Sequence, residues 1–195
     1  MSTLSQNDPI AVLGLGYVGL PLALALARAG FTVTGFDLDK AHIAALAAGQ
    51  DRNGEVSEDS LAETTVRFSA NPDDLAGPRV FIVAVPTPIT DARKPDLEPV
   101  RGACRMIGPH LTPGALVILE STVYPGVTEE VCGPELAHAS GLKAGTDFAL
   151  AYSPERVNPG DAEHSLENVV KIIAAQDAPT LDRVEAIYAP VVKAG

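Results

Sequence analysis

Residues 10–27 read IAVLGLGYVGLPLALALA, an uncharged run that no chain can leave in water. Its length approaches that of a membrane span. Three features argue against a spanning helix or a secretory leader. No Lys or Arg precedes the run, so the basic start of a leader is missing. Gly14, Gly16, Gly19 and Pro21 would weaken a single helix. A buried strand, a glycine turn and a buried helix account for the same apolarity. The run therefore asks for a fold whose first strand and first helix are both internal.

The rest of the chain repeats that order. Strands are expected at 9–13, 31–36, 66–69, 80–85, 115–120, 148–152 and 169–174, and a short last one at 190–192. Helices are expected at 17–29, 40–48, 56–64, 97–107, 128–139 and 181–187, with Ser57 as an N-cap ahead of Glu58 and Asp59. Unbroken Val/Ile/Leu runs such as VFIVAV (80–85) and ALVILE (115–120) mark strands covered on both faces. Strands alternating with helices give βαβ units. The expected fold class is α/β, a doubly wound and mostly parallel sheet of the Rossmann type, in a single domain over residues 1–195. The polar stretches 92–95 and 153–164 read as loops, and ligands sit where loops leave the carboxyl ends of parallel strands.

The balance of 14 Lys+Arg against 25 Asp+Glu, a net charge of −11, disfavours nucleic acid or an anionic membrane as partner. Two cysteines, Cys104 and Cys132, build neither a disulfide framework nor a four-ligand zinc site, and their number fits a reducing, cytoplasmic compartment. Both fall at helical spacing and read as small buried side chains. His42, His110, His138 and His164 are dispersed, so no metal site is expected, and there is no GxSxG elbow.

Four segments carry chemistry. The first is GLGYVG, with Gly14 for a tight turn, Gly16 for close approach to a pyrophosphate and Gly19 for helix–strand packing. It follows a strand and opens a helix, the context that makes the pattern informative. Asp37 closes the second strand, where its carboxylate would accept from an adenosine ribose and repel a 2′-phosphate. NAD is therefore the expected cofactor, ahead of NADP. The second segment is VPTP (85–88), whose Pro86 and Pro88 stiffen the exit from a strand; Thr87 lies between them. Such a loop suits the cofactor's ribose, and a merely rigid loop suits the sequence equally. The third is ESTVYPG (120–126). Thr122 would bond a water or the nicotinamide ribose, or else Ser121 and Thr122 cap the next helix. The fourth, SPERVNPGD (153–161), crowds Glu155, Arg156, Asn158 and Asp161 together. Glu155 suits a general base and Arg156 an anion, while an Arg–carboxylate staple in a solvated loop is the plain alternative.

Together GLGYVGLP, FIVAVPTPI, ESTVYPG and SPERVNPGD resemble the nucleotide-sugar 6-dehydrogenases, the UDP-glucose/GDP-mannose dehydrogenase family, in order and across nearly the whole chain. YSPERVNPGD and PTPIT…KPDL look most like the branch that oxidises UDP-N-acetyl-hexosamines. The resemblance implies oxidation of a UDP-sugar's C6 alcohol to an acid by two NAD in turn, with a cysteine capturing the aldehyde. It matches Gly14, Gly16, Tyr17, Val18, Gly19, Asp37, Pro86, Thr87 and Thr122 to cofactor-contacting positions. Thr122 and Glu155 match the family's residues near the catalytic water, and Glu155, Arg156, Val157 and Asn158 would line the sugar side. His42 stands where the family often carries Lys or Arg on the adenosine side, which weakens a charge contact there. Pro159 replaces a second acid of the UDP-glucose branch. The resemblance also implies a larger enzyme, a homodimer, whose central helix and catalytic cysteine loop would begin after Gly195. This chain alone would then be inactive. Two other readings remain: a dinucleotide-binding module without chemistry, and a β-hydroxyacid-type dehydrogenase domain, which would lack the ESTVYPG and SPER loops.

Overall fold

The structure is a computed structural model and describes residues 8–155 and 168–194. Seven strands form one sheet: β1 (Ile10–Leu13), β2 (Val33–Phe36), β3 (Arg67–Ser69), β4 (Val80–Val83), β5 (Leu116–Leu119), β6 (Ala149–Tyr152) and β7 (Ala174–Ala175). Their order is β3-β2-β1-β4-β5-β6-β7, with all pairs parallel except β6–β7. This is the doubly wound order with an antiparallel edge strand added. Every residue of β1, β4 and β5 is buried, as their unbroken apolar sequences require.

Helices α1 (Gly19–Arg28) and α6 (Ala178–Tyr188) cover one face, and α4 (Glu98–Ile107) and α5 (Gly133–Ser140) the other. Residues alternate between the two cores along each strand. Val12, Ile82 and Ile118 face the first, while Leu13, Val83 and Leu119 face the second. Helices α2 (Lys40–Ala47) and α3 (Glu58–Ala62) lie on the β2–β3 side. Ser57 caps α3 as expected, its hydroxyl accepting from Ser60 N–H.

Three elements differ from expectation. The helix expected from residue 128 opens as a π-helical segment, Thr128–Cys132, and becomes α-helical at Gly133. Pro134 has no N–H for the Glu130 carbonyl, so the regular ladder cannot run through it. The strand expected at 169–174 shrinks to the two residues of β7. Gln176 completes the edge with its side chain, its Oε1 accepting from Leu150 N–H at 3.1 Å. Residues 190–192 form a turn rather than a strand, with Val191 and Val192 N–H both donating to Tyr188 O. Their side chains are buried all the same.

Candidate functional site

The strand register sets the site. Phe36, Leu13, Val83, Leu119 and Tyr152 pair across the sheet in one row. The next residue of each strand therefore opens a loop at the same edge, and all four sequence segments leave from that edge. On one side of β1 the chain returns to β2, on the other to β4, which makes the β1–β4 seam the crevice of a doubly wound sheet.

The glycine turn is built as its sequence predicts. Gly14 has φ +90°, and a Cβ there would lie 2.7 Å from Ala84 O. A Cβ on Gly19 would lie 1.8 Å from Gly14 O, so α1 starts hard against the turn. Gly16 is different: nothing stands within 4 Å of the space its Cβ would fill. Helix α1 begins with no side-chain cap and no acidic residue in its first turn. Leu20 and Leu22 N–H already donate to Gly16 O and Val18 O and Pro21 has no N–H, so the amides that can meet an anion are those of the turn at 16–19, with the positive end of the helix dipole uncompensated beside that empty space. Tyr17 and Val18 lie in this turn, with Tyr17 about half exposed. A pyrophosphate fits this cradle by charge, donors and room.

Asp37 follows β2. Its Oδ2 accepts from Leu15 N–H at 2.8 Å and its Oδ1 from Asp39 N–H at 2.9 Å. A carboxylate has about four acceptor sites, so both oxygens keep capacity for ribose hydroxyls. Asp37 borders a cavity of about 530 Å³ walled by Leu38, Val85, Pro86, Ala103 and Met106, an apolar slot suited to a flat base. On that wall the sequence motifs point to Val85 and Pro86. The others belong to a helix face and a loop whose apolar character has no motif, although Leu38, 71% exposed, is a visible oddity.

His42 is buried, and its Nε2–H donates to Leu15 O at 2.9 Å. It braces the glycine turn from behind.

The second and third segments are stapled together. Thr87 Oγ1 donates to Thr122 O at 2.7 Å, and Ser121 Oγ donates to Val85 O at 2.6 Å. Ser121 is therefore a loop tie, not a helix cap. Thr122 is exposed at the head of its loop. Beneath it lies a buried polar cluster that no motif announced. Glu120 accepts from Lys171 Nζ at 3.1 Å and from the Tyr188 hydroxyl. The Lys171 ammonium also lies 4.9 Å from the Tyr188 ring centre. Burial pushes the Glu120 carboxyl up from its ordinary pKa, against the pull of Lys171, and pushes the Tyr188 phenol well up. Glu155, half-buried after β6, lies close enough to interact electrostatically with both. Arg156, Val157 and Asn158 fall outside the described residues.

Cys104 and Cys132 are both buried, and the neighbouring Cys132, with burial, pushes the Cys104 thiol up. Neither reaches the loop edge. Among the described residues no group of three or more His, Cys, Asp and Glu assembles as a metal site, and no helix is long and apolar enough to cross a membrane.

An uncapped glycine-turn helix, an acid closing β2 and a flat apolar slot at the sheet's switch point define a dinucleotide-binding Rossmann domain. Residues 8–192 match the NAD binding domain of the UDP-glucose/GDP-mannose dehydrogenase family, and the chain belongs to that family. It is 45% identical over 190 residues to Protein CapL of Staphylococcus aureus, covering 97% of this chain and 45% of that protein. It is also 45% identical over 187 residues to a UDP-N-acetyl-D-glucosamine 6-dehydrogenase of Pseudomonas aeruginosa, covering 95% and 44%. A solved UDP-D-ManNAc dehydrogenase from Pyrococcus horikoshii superposes with a TM-score of 0.87 at 35% identity, over 95% of this chain and 45% of that one. The chain thus spans less than half the length of these relatives. Its cofactor is NAD.

Proposed function

We propose that this chain is the NAD-binding half of an oxidoreductase that converts the C6 alcohol of a UDP-sugar, a UDP-N-acetyl-hexosamine, to a uronic acid. The observation that carries the reading is the alignment of the four family segments along one sheet edge, with Thr87 bonded to Thr122. Similarity to a UDP-N-acetyl-D-glucosamine 6-dehydrogenase and a UDP-D-ManNAc dehydrogenase supports the acetamido-sugar class.

Bound NAD supplies a hydride acceptor, twice per sugar. The chain's own residues do the rest of what this half contributes. Gly16, Tyr17 and Val18, with the amides of the turn that opens α1, hold the pyrophosphate. Asp37 holds the adenosine ribose. Pro86 walls the base cavity, and Thr87 fixes the loop that bears Thr122. Thr122 bonds the catalytic water or the nicotinamide ribose. Glu155 orients that water and takes its proton when the second oxygen is added to C6. Its neighbour Glu120 is already balanced by Lys171, which limits the negative charge that Glu155 meets. Arg156, Val157 and Asn158 line the sugar side. The nucleophilic thiol and the remaining sugar contacts belong to the second half of the family's chain.

The test follows NADH absorbance with UDP-N-acetylglucosamine and UDP-N-acetylgalactosamine. It compares this chain with one extended to the family's full length. Turnover by the extended chain alone is expected. Turnover by the short chain, lost on Cys104→Ser or Cys132→Ser, would overturn the division of labour. Failure of the extended chain on both sugars would overturn the substrate class.

A further inference from the structure

On the other side of Asp37 from the base cavity is a second hollow, of about 270 Å³, bounded by Gly16, Asp37, Asp39, His42, Arg52 and Asn53. It lies between the pyrophosphate cradle and the acid that closes β2, where substituents on the adenosine ribose would project. Its charges are arranged by the backbone. Asp39 caps α2, its Oδ1 accepting from Ala41 N–H at 2.9 Å and His42 N–H at 3.0 Å. Its Oδ2 is left to meet Arg52 Nη1 at 3.2 Å. Arg52 comes from a loop closed by Asp51, whose carboxylate accepts from Asn53, Glu55 and Val56 N–H. Lys40, exposed on α2, does not border the hollow.

We infer that Asp39 is a second determinant of NAD over NADP, and that Arg52 is a phosphate ligand which Asp39 holds in check. The inference rests on the assignment of Asp37 to the adenosine ribose. A 2′-phosphate entering the hollow meets two carboxylates and one guanidinium, a formal local charge of −1. Neutralising either acid brings that charge to zero, and neutralising both leaves Arg52 alone at +1. Exposed charges a few ångströms from a dianion shift its affinity by about five- to tenfold each, less at high salt. His42 Nε2–H is taken up by Leu15 O and is not a donor the hollow can offer to a phosphate. Among the residues that border the hollow, Arg52 is the guanidinium, delivered from the loop after α2.

Calorimetric titration of this chain with NAD and with NADP tests the inference. Asp39→Asn keeps an N-cap oxygen, so α2 keeps its start; Asp39→Ser serves the same purpose if the first variant is poorly folded. Either is expected to raise NADP affinity relative to NAD by about fivefold or more at low salt, and the gain should shrink as salt is added. Adding Arg52→Ala should remove the gain. Asp37→Asn with Asp39→Asn should exceed either single change. A gain that survives Arg52→Ala, or no gain on replacing Asp39, overturns the inference. The Asp37 assignment is read separately: it fails if Asp37→Asn changes the affinity for neither cofactor.

Discussion

Lys171 Nζ lies 3.1 Å from Glu120 Oε2, with both side chains sealed from solvent directly beneath the loop that carries Thr122. The pair joins two parts of the chain 51 residues apart. Ser153 Oγ, which donates to Ile172 O at 3.0 Å, fastens the same returning segment to β6. The segment after the SPER loop is therefore held to the ends of β5 and β6 by one buried charge pair and one hydroxyl.

Breaking that pair from one side should be costly. Glu120→Gln leaves the Lys171 ammonium buried without its counter-charge, a change of roughly 3–5 kcal/mol by analogy with other buried pairs. Glu120→Gln with Lys171→Met removes both charges and should recover a large part of the loss. Urea unfolding of the two variants beside the wild type measures both quantities. A double variant no more stable than the single one would mean that packing, not the charge pair, holds the segment.

The acid side of the stability curve has separate origins. Backbone N–H from His42, with that from Ala41, holds the Asp39 carboxyl below its usual pKa; the N–H of Thr180 does the same for Asp177. A carboxyl lowered in the folded state stabilises above its unfolded value, near 4, and that contribution is lost as pH falls through the lower folded value. Glu120 works in the opposite direction, since burial raises its pKa and the folded state takes up that proton early. Asp39→Asn and Asp177→Asn should therefore each flatten the fall of the thermal midpoint below about pH 4–5. Unchanged slopes in both would show that these caps contribute nothing that depends on ionisation.

Much of this was legible in the sequence because the signals are local. A fully buried strand has to be apolar at every position, so β1, β4 and β5 announce themselves. GLGYVG announces a turn whose geometry only glycine permits at position 14 and whose crowding only glycine permits at 19. What was not legible depends on distant partners. Nothing near Glu120 in sequence says that Lys171 and Tyr188 will close on it. Nothing near Asp39 says that Arg52 will. β7 is shorter than its sequence suggests because Val170 and Ile172 look like strand residues, yet they are exposed, while Lys171 between them points inward to Glu120. Pro134 is plain in the sequence, but the helical pattern on either side of it masks the π-helical segment that its missing N–H imposes on Thr128–Cys132.

The three glycines of the turn should separate when substituted, because the space around each differs. At Gly16 a Cβ meets nothing within 4 Å, and the backbone there does not need a positive φ. Gly16→Val should therefore fold with a thermal midpoint within a few degrees of the wild type, while its side chain occupies the place of the pyrophosphate. NAD affinity should fall by a hundredfold or more, on the order of 3 kcal/mol, since the contacts to both phosphates are lost together. At Gly19 a Cβ would collide with the Gly14 carbonyl. Gly19→Ala should cost stability first, as α1 is pushed off β1, and should lose NAD binding only as a consequence. Calorimetry with NAD and thermal melts of both variants distinguish the two kinds of failure. A Gly16→Val protein that binds NAD normally would put the phosphates somewhere other than this turn. A Gly19→Ala protein as stable as the wild type would mean that the start of α1 yields more easily than its contact with Gly14 implies.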